Sequence, residues 1–105
     1  MDMKKMMKQA QRMQVELARA QEEVREMTFT ASAGGGMVQA TARGDNTITE
    51  LVIAPEAVDP EDVEMLQDMV LAAVNEALRG VAEQGEERLS SVTNGLGGMG
   101  IPGLF

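Results

Sequence analysis

The 105-residue chain carries a formal net charge of -8, contains neither cysteine nor histidine, and has two phenylalanines as its only aromatic residues. A disulfide framework, thiol nucleophiles and imidazole acid–base chemistry are thereby excluded, and base stacking on aromatic side chains is poorly served. With no run approaching 18 or so apolar residues and no uninterrupted apolar stretch in its first residues, the sequence reads as one small, soluble, intracellular domain.

From Met3 to Met27, apolar residues recur at spacings of three and four: Met3, Ala10, Leu17 and Val24 alternate with Met6, Met13, Ala20 and Met27. This heptad predicts a long helix whose seam needs a second helix against it, the methionines serving as core filling. At about 100° per residue, Lys4, Lys8, Arg12 and Arg19 fall in a narrow arc opposite the seam, with Lys5 at its border. Residues 1–13 hold Lys4, Lys5, Lys8 and Arg12 against Asp2 alone, a local +3, which leaves -11 for the rest of the chain. A basic rail therefore lies at one end of an acidic molecule, where it acts over a screening length of about 10 Å.

Past Met27 the period changes to two. Met27, Phe29, Ala31 and Ala33 alternate with Thr28, Thr30 and Ser32, which predicts a half-buried strand. Gly34-Gly35-Gly36 supplies the positive φ angles of a hairpin, and Val38, Ala40 and Ala42 mark a second strand. After Gly44-Asp45-Asn46, the β-branched segment Thr47–Ala54 predicts a third strand, in which Leu51-Val52-Ile53 breaks the alternation and suggests a bulge or burial on both sides.

Pro55 stops that strand, and Asp59-Pro60-Glu61-Asp62 reads as a helix start with Asp59 as N-cap and Pro60 in the first helical position. The stripe Val63, Leu66, Val70, Val74, Ala77 and Val81, widened by Met69, Ala73 and Leu78, carries the helix to about Leu89, and Asn94-Gly95 is expected to end it. Residues 1–94 then form a single domain and 95–105 a flexible glycine-rich tail, with Ile101, Leu104 and Phe105 as candidate docking points.

The expected fold is α+β: an α-β-β-β-α protomer with a three-stranded antiparallel meander. A second helix of about 30 residues spans roughly 45 Å, whereas the strands span about 20 Å, so its far half overshoots the sheet. It overshoots where the first helix enters, and the two long helices form a protruding arm that carries the basic rail.

Other motifs reduce to local structure. No Gly-Lys-Ser/Thr follows the three glycines, so they make a turn and no phosphate cradle. Arg43-Gly44-Asp45 is a strand end and turn. Asp59, Glu61, Asp62 and Glu64 are explained by capping and the helix dipole, and the calcium-loop spacing is absent. No catalytic constellation, metal site, cofactor, small-molecule substrate or membrane partner is expected.

Met6–Gln14 (Met-Met-Lys-Gln-Ala-Gln-Arg-Met-Gln), Gly34-Gly35-Gly36-Met37-Val38, Ile53-Ala54-Pro55-Glu56, Ala72-Ala73-Val74-Asn75-Glu76-Ala77 and Pro102-Gly103-Leu104-Phe105 resemble, in order, the bacterial YbaB/EbfC family of nucleoid-associated proteins. The resemblance spans essentially the whole chain. It implies an α-β-β-β-α homodimer whose helical arms form a tweezer, and binding of double-stranded DNA, with the family's basic positions falling on Lys4, Lys5, Lys8 and Arg12. Arg19, in the same arc, joins them as a candidate. The expected protein is a non-enzymatic DNA-binding homodimer of the bacterial cytoplasm and nucleoid, with weak or shape-based sequence preference and an influence on gene expression. The competing class is a protein–protein adaptor that uses the Met/Leu seam and does not bind DNA.

Overall fold

The carboxylate of Asp2 accepts a hydrogen bond from the Lys4 N–H at 3.1 Å, and helix α1 follows from Met3 to Glu26. The computed structural model describes residues 2–97. At Met27 the backbone turns extended while its N–H still bonds the carbonyls of Glu23 and Val24, so the helix passes directly into strand β1, Thr28–Ala33. Strands β2 (Val38–Arg43) and β3 (Ile48–Ile53) complete an antiparallel sheet in the order β1-β2-β3.

Gly34, Gly35 and Gly36 take φ of +63°, +68° and +93°, a left-handed run that a side chain would strain, and they set Ala33 opposite Val38 and Thr28 opposite Arg43. In the second turn Asn46 alone is left-handed (φ 67°), and the Asp45 carboxylate accepts from both the N–H and the hydroxyl of Thr47. The irregularity expected in β3 is present but displaced. Thr41 faces Glu50 while Ala42 faces Ile48, so Thr49 is the extra residue, and Leu51-Val52-Ile53 pairs regularly. Leu51 and Val52 are not buried on two sides either; they are 43% and 48% exposed. The reason is position: β3 is the edge strand that the second long helix leaves uncovered, since that helix lies across β1, the other edge, and β2.

That helix, α2, runs from Val63 to Gly97 and starts later than the sequence suggests. The Asp59 carboxylate accepts from the Glu61 N–H at 2.9 Å and its carbonyl from the Asp62 N–H at 3.0 Å, which closes a separate turn. Asp62 is the true cap, accepting from the Met65 N–H at 3.2 Å. A 3-10 turn at Pro55–Ala57, not anticipated, precedes it. At its other end α2 passes through Asn94-Gly95 without stopping. A glycine in a helix costs about 1 kcal/mol, and half-buried Leu89 and Val92 hold this stretch in place. Residues 98–105, most of the expected tail, lie outside the described residues.

The core is made of small side chains. Ala31, Val38, Ala40 and Ala42 of the sheet meet Ala73, Ala77 and Val81 of α2, with Phe29, Met69, Val70 and Leu78 packed around them. Alanine on both surfaces lets helix and sheet approach closely. At Gly80 the approach is so close that a Cβ would strike three ring carbons of Phe29, and at Gly85 a Cβ would lie 2.8 Å from Val24 Cγ1. These glycines, liabilities on a helix-propensity scale, are where α2 touches β1 and α1.

The α1 seam is covered over only half its length. Ala20 is fully buried and Met13, Val24 and Met27 are half-buried, whereas Leu17, Met6 and Met3 are 37%, 50% and 75% exposed. The expectation that all these methionines pack inward is therefore corrected: Met3, Met6 and Met7 lie on the surface. Helix α2 runs antiparallel to α1, with Arg88 beside Glu23, so at equal rise its last helical residues come level with about Met13. Beyond that point α1 has no neighbour among the described residues. The molecule measures 73 × 23 × 15 Å.

Candidate nucleic-acid interface

Five of the nine cationic side chains, Lys4, Lys5, Lys8, Arg12 and Arg19, are exposed on α1, and none of them forms an ion pair among the described residues. The other four are all engaged. Arg25 bonds Glu22 at 3.0 Å, Arg79 bonds Glu76, Arg88 bonds Glu23 at 2.8 Å, and Arg43 lies 4.0 Å from Asp45 while donating to the Arg25 carbonyl at 3.2 Å. The basic residues thus divide into those engaged with carboxylates, three of them locally and Arg88 across the two helices, and those left to solvent. All of the second kind are the ones the helical wheel had singled out.

Their position works against the helix that carries them. The first turn of α1 contains Lys4 and Lys5 and no carboxylate, although the positive end of the helix dipole favours anions there by about 0.3–1 kcal/mol per charge. Lys4, Lys8 and Arg12 also stand at successive i, i+4 positions, where like charges repel. Only the Asp2 cap offsets this. A cation row placed where it destabilises its own helix is an arrangement suited to an anionic partner. From Lys4 to Arg12 the row covers about 12 Å, and to Arg19 about 22 Å, of helix axis.

Arg19 differs from the rest. Its charge, after the hydrogen bond and charge of Arg88, helps hold the Glu23 carboxyl below the ordinary glutamate range. Arg19 therefore lies within the range of a carboxylate's charge, without an ion pair, at the inner end of the row, while Lys4, Lys5, Lys8 and Arg12 form its open end.

The acidity of α2 is also localised. Glu83, Glu86 and Glu87 line a groove with Ser90, Ser91 and Asn94 near the base of the arm, and after Glu87 the helix contains no further carboxylate. The distal arm is consequently basic even though the chain is acidic. Two features of this site escaped sequence reasoning: the commitment of Arg25, Arg43, Arg79 and Arg88 to carboxylates, and the retreat of the acids from the arm's far half. The second was visible as an acid-free run after Glu87, once its place on the arm is known. No group of three or more potential metal-ligating side chains is found among the described residues, and no helix there is long and apolar enough to cross a membrane.

An α-β-β-β-α chain with a two-helix arm and a row of uncommitted cations on one of its faces defines a class of small arm-bearing proteins suited to polyanions. The chain belongs to the YbaB/EbfC DNA-binding family, whose model matches residues 1–96. It is 57% identical over 100 residues to a nucleoid-associated protein of Acetivibrio thermocellus, covering 95% of this chain and 87% of that one. It is 51% identical over 104 residues to a nucleoid-associated protein of Pelotomaculum thermopropionicum, covering 99% and 96%. The fold is shared with the crystal structure of an uncharacterised protein from Helicobacter pylori, with a TM-score of 0.63, 25% identity, and coverage of 83% and 91%.

Proposed function

We propose that this protein is a non-enzymatic nucleoid-associated protein of the bacterial cytoplasm, binding duplex DNA as a homodimer through Lys4, Lys5, Lys8, Arg12 and Arg19 and influencing gene expression through that binding. The observation that carries the reading is the division of the cations: every one left without a carboxylate partner among the described residues lies on α1. Lysine and arginine rows of this kind meet phosphates, and with no Asn/Gln/Arg set placed for a groove the sequence preference is weak or based on DNA shape. Membership in a family described by its DNA binding, and the nucleoid-associated names of its relatives, support the same reading.

The homodimer is supported by the uncovered edge strand. Ile48, Leu51 and Val52 are exposed on β3, and an apolar groove lined by Leu66, Val70, Leu71 and Val74 lies on α2. An open strand edge beside apolar surface favours pairing with a second copy.

Titration with duplex and single-stranded DNA at several salt concentrations, with light scattering of the free protein, tests both parts. Salt-dependent retention of duplex by a dimer is expected. Duplex affinity that does not change with salt, or no binding at low salt, returns the adaptor reading.

A further inference from the structure

The two ends of the molecule complement one another. At the tip of α1, Met3, Met6, Met7 and Ala10 form an exposed apolar strip with no neighbour among the described residues. At about 100° per residue, Lys4 borders the strip on the side of Met7 and Lys5 on the side of Met6, while Lys8 and Arg12 point away from it. The nearest carboxylate on α1's own end, Asp2, is occupied as the helix cap. A surface complementary to this tip is therefore apolar with carboxylates on its flanks. Such a surface lies at the far end of the molecule, where Ala33, Met65 and Met69 line a groove of about 450 Å³ bordered by Asp62, Glu64 and Asp68. None of these three carboxylates forms an ion pair among the described residues, and the run from Gly44 to Leu78 contains no lysine or arginine.

The groove lies beside the β1–β2 turn, and α1 leads away from the other end of β1, so in a molecule 73 Å long a chain cannot fill its own groove. We propose that the tip of α1 docks in the groove of a second copy, with its methionines against Met65 and Met69 and with Lys4 and Lys5 beside Glu64 and Asp68. Methionine on both surfaces adapts to irregular gaps, and the lysine stems lie along apolar surface while their ammonium groups reach the rim. The positive end of the α1 dipole, which has Lys4 and Lys5 in its first turn and no carboxylate, meets carboxylates in this arrangement. Two tips facing each other would instead set lysines against lysines. A contact between unlike ends is heterologous and repeats from copy to copy. It uses neither the β3 edge nor Lys8 and Arg12, and it does not depend on DNA binding.

The chain has no cysteine, so single substitutions report which ends meet. Full-length Met6→Cys and Met65→Cys chains, mixed without DNA at low salt and oxidised, are expected to give the mixed disulfide in excess over either like-with-like product. Sedimentation of the wild type should show species that keep growing with concentration and shrink as salt is added. Lys4→Glu/Lys5→Glu should abolish this growth, and so should Glu64→Lys/Asp68→Lys. Mixing the two charge-reversed chains should restore it, because each then meets an end of opposite sign, and restoration also shows that both are folded. Growth that stops at a pair, or no restoration on mixing, overturns the proposal. So does a predominance of the Met6→Cys like-with-like product, which assigns the strip to a tip-to-tip pair.

Discussion

Arg88 donates to Glu23 across 2.8 Å, joining residues 65 apart in sequence, and it is the one ion pair among the described residues that ties α1 to α2. It holds the Glu23 carboxyl below its ordinary range, first through the hydrogen bond and then through charge. A carboxyl depressed in the folded state contributes stability that is complete above the ordinary glutamate value, about 4.3, and is lost as pH falls through the folded value. Glu23→Gln is therefore expected to lower the thermal midpoint at pH 7 by a small, salt-sensitive amount. The difference from wild type should narrow as the pH falls below about 4.3 and close once it has passed below the folded carboxyl's own range. A gap that persists there would mean that the glutamine disturbs packing and not charge.

Gly80 and Gly85 give opposite expectations for the same substitution. Gly80→Ala places a methyl against the Phe29 ring, and overpacking of about 1–3 kcal/mol outweighs the roughly 1 kcal/mol of helix propensity gained. At Gly85 the clash is with one methyl of Val24, at 2.8 Å, and a rotation of that side chain relieves it. Urea unfolding should show Gly80→Ala less stable than Gly85→Ala, with Phe29→Leu reducing the cost of the first. Equal stability of the two variants would remove the close approach at Gly80.

On α1, Leu17 and Ala20 exchange the roles their sizes suggest. Leu17 is partly open to solvent, so Leu17→Ala should cost about 1–2 kcal/mol, less than the 2–5 of a fully buried leucine. Ala20 is wholly enclosed, and Ala20→Leu should cost about 1–3 kcal/mol. Chemical denaturation of both variants reads this directly. A Leu17→Ala loss above about 3 kcal/mol would mean that a second copy covers the arm's middle.

The row of cations makes the functional prediction. In the proposed homodimer two arms would present eight charges from Lys4, Lys5, Lys8 and Arg12, and with about four to six meeting phosphates at once the expected slope of log K against log salt is roughly -4 to -5. Replacing Lys4, Lys8 and Arg12 by Glu should abolish duplex binding. It should leave folding intact or slightly improved, because carboxylates near a helix N-terminus complement its dipole. Unchanged duplex affinity in the folded triple variant would refute the assignment of the site to α1.

How much of this was legible in the chain follows from the range of each interaction. The periods of two and 3.6 residues, the three glycines of the hairpin and the basic arc of Lys4, Lys8, Arg12 and Arg19 are properties of neighbours in sequence, so the elements, their order and the candidate residues could be read locally. The start of α2 was misplaced by three residues because Asp59 and Asp62 are equally good caps, and only the path of the backbone selects between them. Which half of the seam is covered, the pairing of Arg88 with Glu23, and why Gly80 and Gly85 sit in a helix depend on residues brought together from distant parts of the chain. The register of α2 against α1 and β1 decided these, since burial and ion pairing are set by distance in space and not by distance along the sequence.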